Sequence, residues 1–350
     1  MTKLLFSNHQ SCGDIICLTA ACRDIQRAYP GEYELHVNTS HMELWQNNPH
    51  VIHEQISPLG NIDGVRKIAC HYPAISASNR LPRHFIEAFH RYLEMVLCKS
   101  IPITEYRGDL HLSKQEVEEH PVKNLAGEEL RYWVVVAGGK FDYSAKWPSV
   151  ENLNLALAML QHFFGAGKMK FVQVGQVTHH HPRLRNSDVV DMIGRTDLRQ
   201  MLQLIYHSEG VICPTTFAVH AAAAVPIKRP AHVIPDELPP STPENHRPAQ
   251  PLRPCVVIAG AREPAAWLAY PGHRVLENVG SLSCASWGGC WRSRAQKIGD
   301  GDDKDKHHTC LKPVEEGPIT IAKCIQMISP QMIADAVKSY YIGEALIWPT

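Results

Sequence analysis

A chain of 350 residues with 44% hydrophobic content is long enough to bury two cores, so a single small module is excluded. Lysine and arginine (35) balance aspartate and glutamate (35), which leaves no global charge to draw a phosphate backbone or an anionic membrane. No apolar run reaches the length of a bilayer span and MTKLLFSNHQ lacks the apolar stretch of a signal peptide, so a cytoplasmic protein is expected, with 11 reduced cysteines that form no disulfide framework.

The chain opens with the strand KLLFS, the turn HQSCG and a helix from about Asp14 to Ala28. Ile15, Leu18, Cys22 and Ile25 recur at spacings of three and four, one apolar stripe, and Pro30-Gly31 ends the helix. YELHVN reads as a second strand, MELWQNNP as a short helix, and VIHEQI and VRKIACHY as further strands. RHFIEAFHRYLEMVL is a helix with Phe85, Ala88, Phe89, Tyr92, Leu93 and Val96 on one face. Strands alternating with helices predict a parallel sheet covered on both sides.

The polar stretch SKQEVEEHPVKNLAGEE divides this half from a second alternating pattern, and the boundary is placed near residues 115 to 130. WVVVA, the helix VENLNLALAMLQHFF, the strands KFVQVG and DVVDMI, the helix LRQMLQLIYHS, the strand GVICP, a short helix around AVHAAAAV and the strand CVVIAG follow in turn. Residues 226 to 254 hold nine of the 25 prolines, too many for regular structure, and read as a long surface loop. The expected organisation is an N-terminal Rossmann-like domain over 1–125 and a C-terminal Rossmann-like domain over 126–328 that includes a cysteine knuckle at 284–324. A last helix within 329–350 is expected to pack back toward the first domain. Two doubly wound domains present a cleft between facing strand ends, where such sheets bind ligands.

Gly13-Asp14 stands at the N-terminus of the first helix, where unpaired amides and the helix dipole favour negative charge, so Asp14 is expected to be ionised. Facing a cleft, it could take a proton from an acceptor hydroxyl; as a plain helix cap it would do nothing chemical. Lys140 and Lys146 lie on a glycine-containing loop after WVVVA, a position suited to neutralising phosphate. Thr215 and Thr216 follow GVICP and open a helix of small residues, so that amides and hydroxyls could hold a diphosphate, although an alanine run also serves close packing. Neither the P-loop spacing nor a G-x-G-x-x-G after the first strand is present, which argues against a nicotinamide cofactor.

Taken in order, GDIICLTAACRDI, KWP, DMIGRTDLRQMLQLIYHSEGVICPTTFAVHAAAA and RPCVVIAGAREP resemble glycosyltransferase family 9, the ADP-heptose heptosyltransferases, from the N-terminus to about residue 265. The resemblance implies the GT-B fold, two facing Rossmann-like domains, and inverting transfer of heptose or a related sugar from a nucleotide-activated donor to a hydroxyl of a glycan or protein. It implies Asp14 as general base, with Gly13, Lys146, Thr215, Thr216 and His220 binding the donor and no catalytic metal. That family usually reads D-[ST]-G-x-x-H at the second turn; here Thr215, Thr216 and Phe217 replace the first three residues and His220 is retained, which leaves room for a donor other than ADP-heptose.

Cys284-x5-Cys290-x19-Cys310-x13-Cys324 lies in a polar stretch that has few apolar residues to anchor it. Four soft ligands suit structural zinc or iron, and the alternative is four buried structural thiols. The late cluster resembles that of the bacterial autotransporter heptosyltransferases, which bind iron, with different spacing. Asp300-Gly301-Asp302 spells a D-x-D but does not end a strand, and His179, His180 and His181 read as a turn that could touch donor or metal. A non-catalytic sugar-nucleotide-binding or scaffold protein of the same fold is the competing reading. A metal-dependent module contacting nucleic acid is disfavoured by the neutral charge. Oligomerisation is left open.

Overall fold

The structure, a computed structural model, describes residues 1–52, 64–70, 83–227, 253–296, 308–343 and 345–346. Most of the strand expected at VIHEQI, most of the proline-rich loop and Asp300-Gly301-Asp302 fall outside them.

The N-terminal unit is built on β1 (Thr2–Asn8), β2 (Tyr33–Thr39) and β3 (Arg66–Ala69), all parallel in the order β2-β1-β3. Helix α1 (Cys12–Ala28) follows β1, and α2 (Phe85–Leu97) packs against α1. Beneath them, Arg23, Asp24 and His90 form a buried ionic network in which Asp24 accepts from Arg23 Nε and His90 Nε2, both at 2.9 Å. The segment expected as the helix MELWQNNP is one 3-10 turn, Met42–Trp45. A short helix, α3 (Lys114–Glu118), occupies the polar stretch read as a divider; Ser113 caps it and accepts from the Glu116 amide.

The C-terminal unit contains β4 (Tyr132–Val135), α4 (Val150–Phe164), β5 (Lys170–Gln173), β6 (Val189–Asp191) and α5 (Leu198–His207). It continues with β7 (Gly210–Pro214), α6 (Phe217–Ala224), β8 (Cys255–Gly260) and β9 (Arg274–Glu277). Its six strands are parallel in the order β6-β5-β4-β7-β8-β9. Every residue of β4, β7 and β8 is buried, as strands covered on both faces require, which is why their sequences are continuously apolar. Helix α5 begins with a capping box: Asp197 accepts from the Gln200 amide at 2.7 Å and Gln200 returns to the Asp197 amide at 2.9 Å. The order reverses between β4 and β7, so the loops leaving those two strands flank the crevice where doubly wound sheets bind ligands.

Residues after β9 form a hairpin, β10 (Pro313–Glu316) with β11 (Ile319–Ala322), then α7 (Lys323–Gln326) and α8 (Pro330–Ile342). The hairpin docks onto the C-terminal unit, where Glu316 Oε1 accepts from the Val150 amide at 2.7 Å at the start of α4. The expectation that the last helix returns toward the N-terminal domain is corrected: α8 packs on α4 and on β8 and β9. Its buried side chains are aromatic and aliphatic, and Trp133 Nε1 donates to the Tyr341 hydroxyl at 2.7 Å, so the apolar face is spent on the six-stranded sheet.

The two units meet where α1 packs on α6, and one apolar core runs continuously from one to the other. A Cβ at Gly13 would come within 2.9 Å of the His220 ring, so this helix pair tolerates no side chain there. Arg199 on α5 adds a two-pronged bridge to Glu116 on α3, through Nε to Oε1 at 2.8 Å and Nη2 to Oε2 at 2.5 Å.

Candidate active site

Three loops leave the C-terminal ends of β4, β7 and β8, and the N-terminus of α1 faces them from the other unit. The first carries the 3-10 turn Phe141–Lys146, the second Thr215 and Thr216, and the third Arg262 and Glu263. Lys146 Nζ lies 2.8 Å from Glu263 Oε1 and donates to the Thr215 carbonyl at 3.2 Å, so one ammonium ties all three loops together. Burial, with the Arg262 guanidinium, lowers the Lys146 pKa well below the usual lysine value, and Asp14 opposes that shift.

On the other unit, Asp14 sits in the first turn of α1, where its carboxylate accepts from the Ser11 amide at 3.1 Å. Lys140 Nζ donates to Ser11 Oγ at 3.2 Å, so the β4 loop reaches the other unit three residues before Asp14. Burial pushes the Asp14 pKa up to about 6, and the Ser11 amide, Lys146 and Lys140 only partly offset it. A carboxylate near 6 is ionised at neutral pH and basic enough to take a proton.

Thr216 caps α6, accepting from the Ala218 amide at 3.4 Å, while Thr215 is buried beneath Lys146. His220 is turned inward. Its Nδ1 lies 2.7 Å from the Tyr270 hydroxyl and 3.4 Å from Cys17 Sγ, and burial lowers its pKa to about 3. It is neutral at physiological pH and offers the cleft no charge. Gly13 is buried against the same ring. Lys146 and the Thr215-Thr216 turn are thus together, with Asp14 opposite, while Gly13 and His220 lie in the seam between units. His180 stacks on Trp147 at 4.0 Å, and burial lowers the pKa of His181 to about 4, so the triple histidine is not a fully solvated turn.

The four cysteines, which span 41 residues of sequence, line one small cavity of about 10 Å³ with Ala145, Arg262 and others. Burial raises the Cys324 pKa to about 11, with Cys290, Cys310 and Cys284 each adding to the shift. Among the described residues, no three or more His, Cys, Asp or Glu side chains are already gathered into a set that could hold a metal ion. No described helix is long and apolar enough to cross a membrane.

No family model matches this sequence, and no curated protein matches it. Solved structures do. ADP-heptose lipopolysaccharide heptosyltransferase II of E. coli aligns over 99% of this chain and 100% of its own at 13% identity, with a TM-score of 0.55. A family 9 glycosyltransferase from Veillonella parvula aligns over 98% of this chain and 97% of its own at 11% identity, with a TM-score of 0.57. This chain has the fold of family 9 glycosyltransferases. The iron-containing dodecameric glycosyltransferase TibC from enterotoxigenic E. coli also shares it, over 98% of this chain and 76% of its own at 13% identity, with a TM-score of 0.56. The resemblance read from the sequence therefore holds at the level of fold, and at such identities the family 9 neighbours assign no residue.

Arg262, Glu263 and Tyr270 were not anticipated as parts of the site. The signal available was AREP directly after the buried strand CVVIAG, since charge at the C-terminal end of such a strand faces the crevice.

Proposed function

We propose that the protein is an inverting glycosyltransferase acting on a nucleotide-activated heptose or related sugar, with ADP-heptose as the first donor to try. The acceptor is a hydroxyl of a glycan or protein, and the reaction belongs in the cytoplasm. The observation that carries this reading is that Asp14, held in the first turn of α1, lies near enough to Lys146, held over the Thr215 turn, for the lysine charge to lower the carboxylate's pKa.

In this reading Asp14 takes the proton of the acceptor hydroxyl as its oxygen attacks the anomeric carbon. The bond from that carbon to the diphosphate breaks, and the nucleoside diphosphate leaves with the electron pair. Lys146, Lys140 and the amides opening α6 stabilise the charge that develops on it. None of these steps uses a metal.

Cys284, Cys290, Cys310 and Cys324 are the residues that would hold a structural ion. Four thiols around one cavity with room for about one water-sized sphere fit a single soft ion, iron or zinc, once the sulfurs close in. Such an ion would supply folding energy to a segment poor in apolar residues.

The test is a thermal-shift panel with ADP, UDP, GDP, CMP, NAD and ADP-heptose, followed by a transfer assay. A ligand at about 100 times its Kd adds about 2.7 kcal/mol of stability. Stabilisation by ADP or ADP-heptose supports the reading; stabilisation by another nucleotide moves the donor and keeps the reaction. The Thr215-Thr216-Phe217 turn and the inward, neutral His220 favour a second reading, a sugar-nucleotide-binding protein without turnover. Donor binding with no transfer to any acceptor or to water would select it.

A further inference from the structure

The cysteine segment does not merely sit beside the donor unit. Its backbone between residues 290 and 295 runs along the two loops that hold Lys146. The Cys290 amide donates to the Ala261 carbonyl and the Trp291 amide to the Arg262 carbonyl, both at 3.1 Å. Arg262 answers by donating from Nε to the Arg292 carbonyl at 2.8 Å. Further on, the Ala145 amide donates to the Ser293 carbonyl at 2.9 Å, and the Ala295 amide to Ser144 Oγ at 3.0 Å. These five hydrogen bonds fall on Ala261 and Arg262 on one side, and on the two residues before Lys146 on the other.

Arg262 is the joint between the parts. It lines the cysteine cavity, its Nε is held by the cysteine segment, and its Nη1 pairs with Glu263, the carboxylate that binds Lys146 at 2.8 Å. Gly289, at a φ of 94°, makes the approach possible, because a Cβ there would lie 2.3 Å from the Arg262 carbonyl oxygen. The Ser293 and Arg294 amides in turn donate to the His308 carbonyl, two residues before Cys310, so the segment is tied to the stretch of chain that carries one of the cavity's thiols.

We propose that the cysteine segment is the frame of the phosphate site, and that Arg262 is a positioning residue setting the place of Lys146 through Glu263. Donor affinity is thereby coupled to the state of the cysteine segment. This rests on the reading of Lys146 as the diphosphate contact. Arg262 touches neither the acceptor nor the sugar in that reading; its effect passes through Glu263 and the loop before Lys146.

The experiment compares the full-length protein with Gly289→Ala, Arg262→Met and Arg262→Lys, taking Trp287→Ser, an exposed site on the same segment, as control. ADP affinity is measured by calorimetry and amide hydrogen exchange is followed over 144–147 and over α4. Gly289→Ala and Arg262→Met are expected to raise the Kd for ADP about tenfold or more, the loss of one charge-assisted contact. Exchange of the Ala145 amide should quicken while α4 keeps its protection. Arg262→Lys should recover part of the affinity, since it keeps a cation beside Glu263, and Trp287→Ser should change neither readout. Unchanged ADP affinity and unchanged exchange at 144–147 in both Gly289→Ala and Arg262→Met overturn the proposal. So does equal loss of protection across α4, which marks general unfolding. If Gly289→Ala does not fold, the Arg262 pair decides alone. If the unaltered protein binds no nucleotide, the functional reading fails, and exchange at the Ala145 amide still decides the coupling.

Discussion

Lys146 Nζ and Glu263 Oε1, from loops that leave β4 and β8, lie 2.8 Å apart with Glu263 1% exposed. The pair keeps a cation at the β4-β7 switch point without leaving it uncompensated in a buried place. Glu263 remains paired with Arg262 when the lysine is removed. Lys146→Met is therefore expected to keep the fold and to weaken ADP binding about tenfold to a hundredfold, read by calorimetry. Glu263→Ala leaves two buried cations facing each other and is expected to cost about 3–5 kcal/mol, read by urea unfolding.

Asp14 is raised from 3.8 to about 6, chiefly by burial, so the native state holds its proton more tightly than the unfolded chain does. The stabilisation linked to that proton is complete below the unfolded value and is lost as pH rises through about 6, so the ionised group strains the fold at pH 8. Asp14→Asn should abolish transfer, leave ADP binding within a few-fold, and raise the melting temperature at pH 8. The acid limb of the pH–rate profile should fall near 6 in the unaltered protein. A wild-type transfer rate in Asp14→Asn removes Asp14 as the base.

Asp24 runs the opposite way. Its burial would raise the pKa, but the hydrogen bond from His90 and the Arg23 guanidinium overcome that and hold it at about 2. The stability it contributes is present above the unfolded value near 3.8 and lost as pH falls through about 2. Asp24→Asn should destabilise the protein at pH 7 by about 2–4 kcal/mol, and the gap to the unaltered protein should narrow below pH 4. Chemical denaturation at a series of pH values reads both.

For the cysteines, the expected content is about one iron or zinc per chain by elemental analysis, lost in Cys290→Ser, with a lower melting temperature. Metal content unaffected by that change defeats a four-thiolate site. The four sulfurs are 6, 20 and 14 residues apart along the chain, and the fold still brings all of them to one cavity.

Much of the frame was legible because it depends on local periodicity. The spans of α4, β7 and β8 match VENLNLALAMLQHFF, GVICP and CVVIAG residue for residue, since fully buried strands and a capped amphipathic helix declare themselves in composition. RVLE and the hairpin PVEEGPITIA were not recognised as strands. Each strand is four residues long and partly exposed, so pairing with neighbours decided them, and no local pattern could. The destination of α8 was misjudged for a related reason: its apolar face says that it packs, not upon what.

The sequence by itself determined the alternation of strands and helices and a late cluster of thiols. Those follow from short-range rules of period, capping and chain reversal. Only the tertiary structure decided that His220 turns inward to Tyr270, that burial lifts Asp14 to about 6, and that Arg262 and Glu263 link the cysteine cavity to Lys146. Each of those depends on which groups distant in sequence exclude water together, and desolvation is a property of the packed ensemble of neighbours that no single stretch of chain carries.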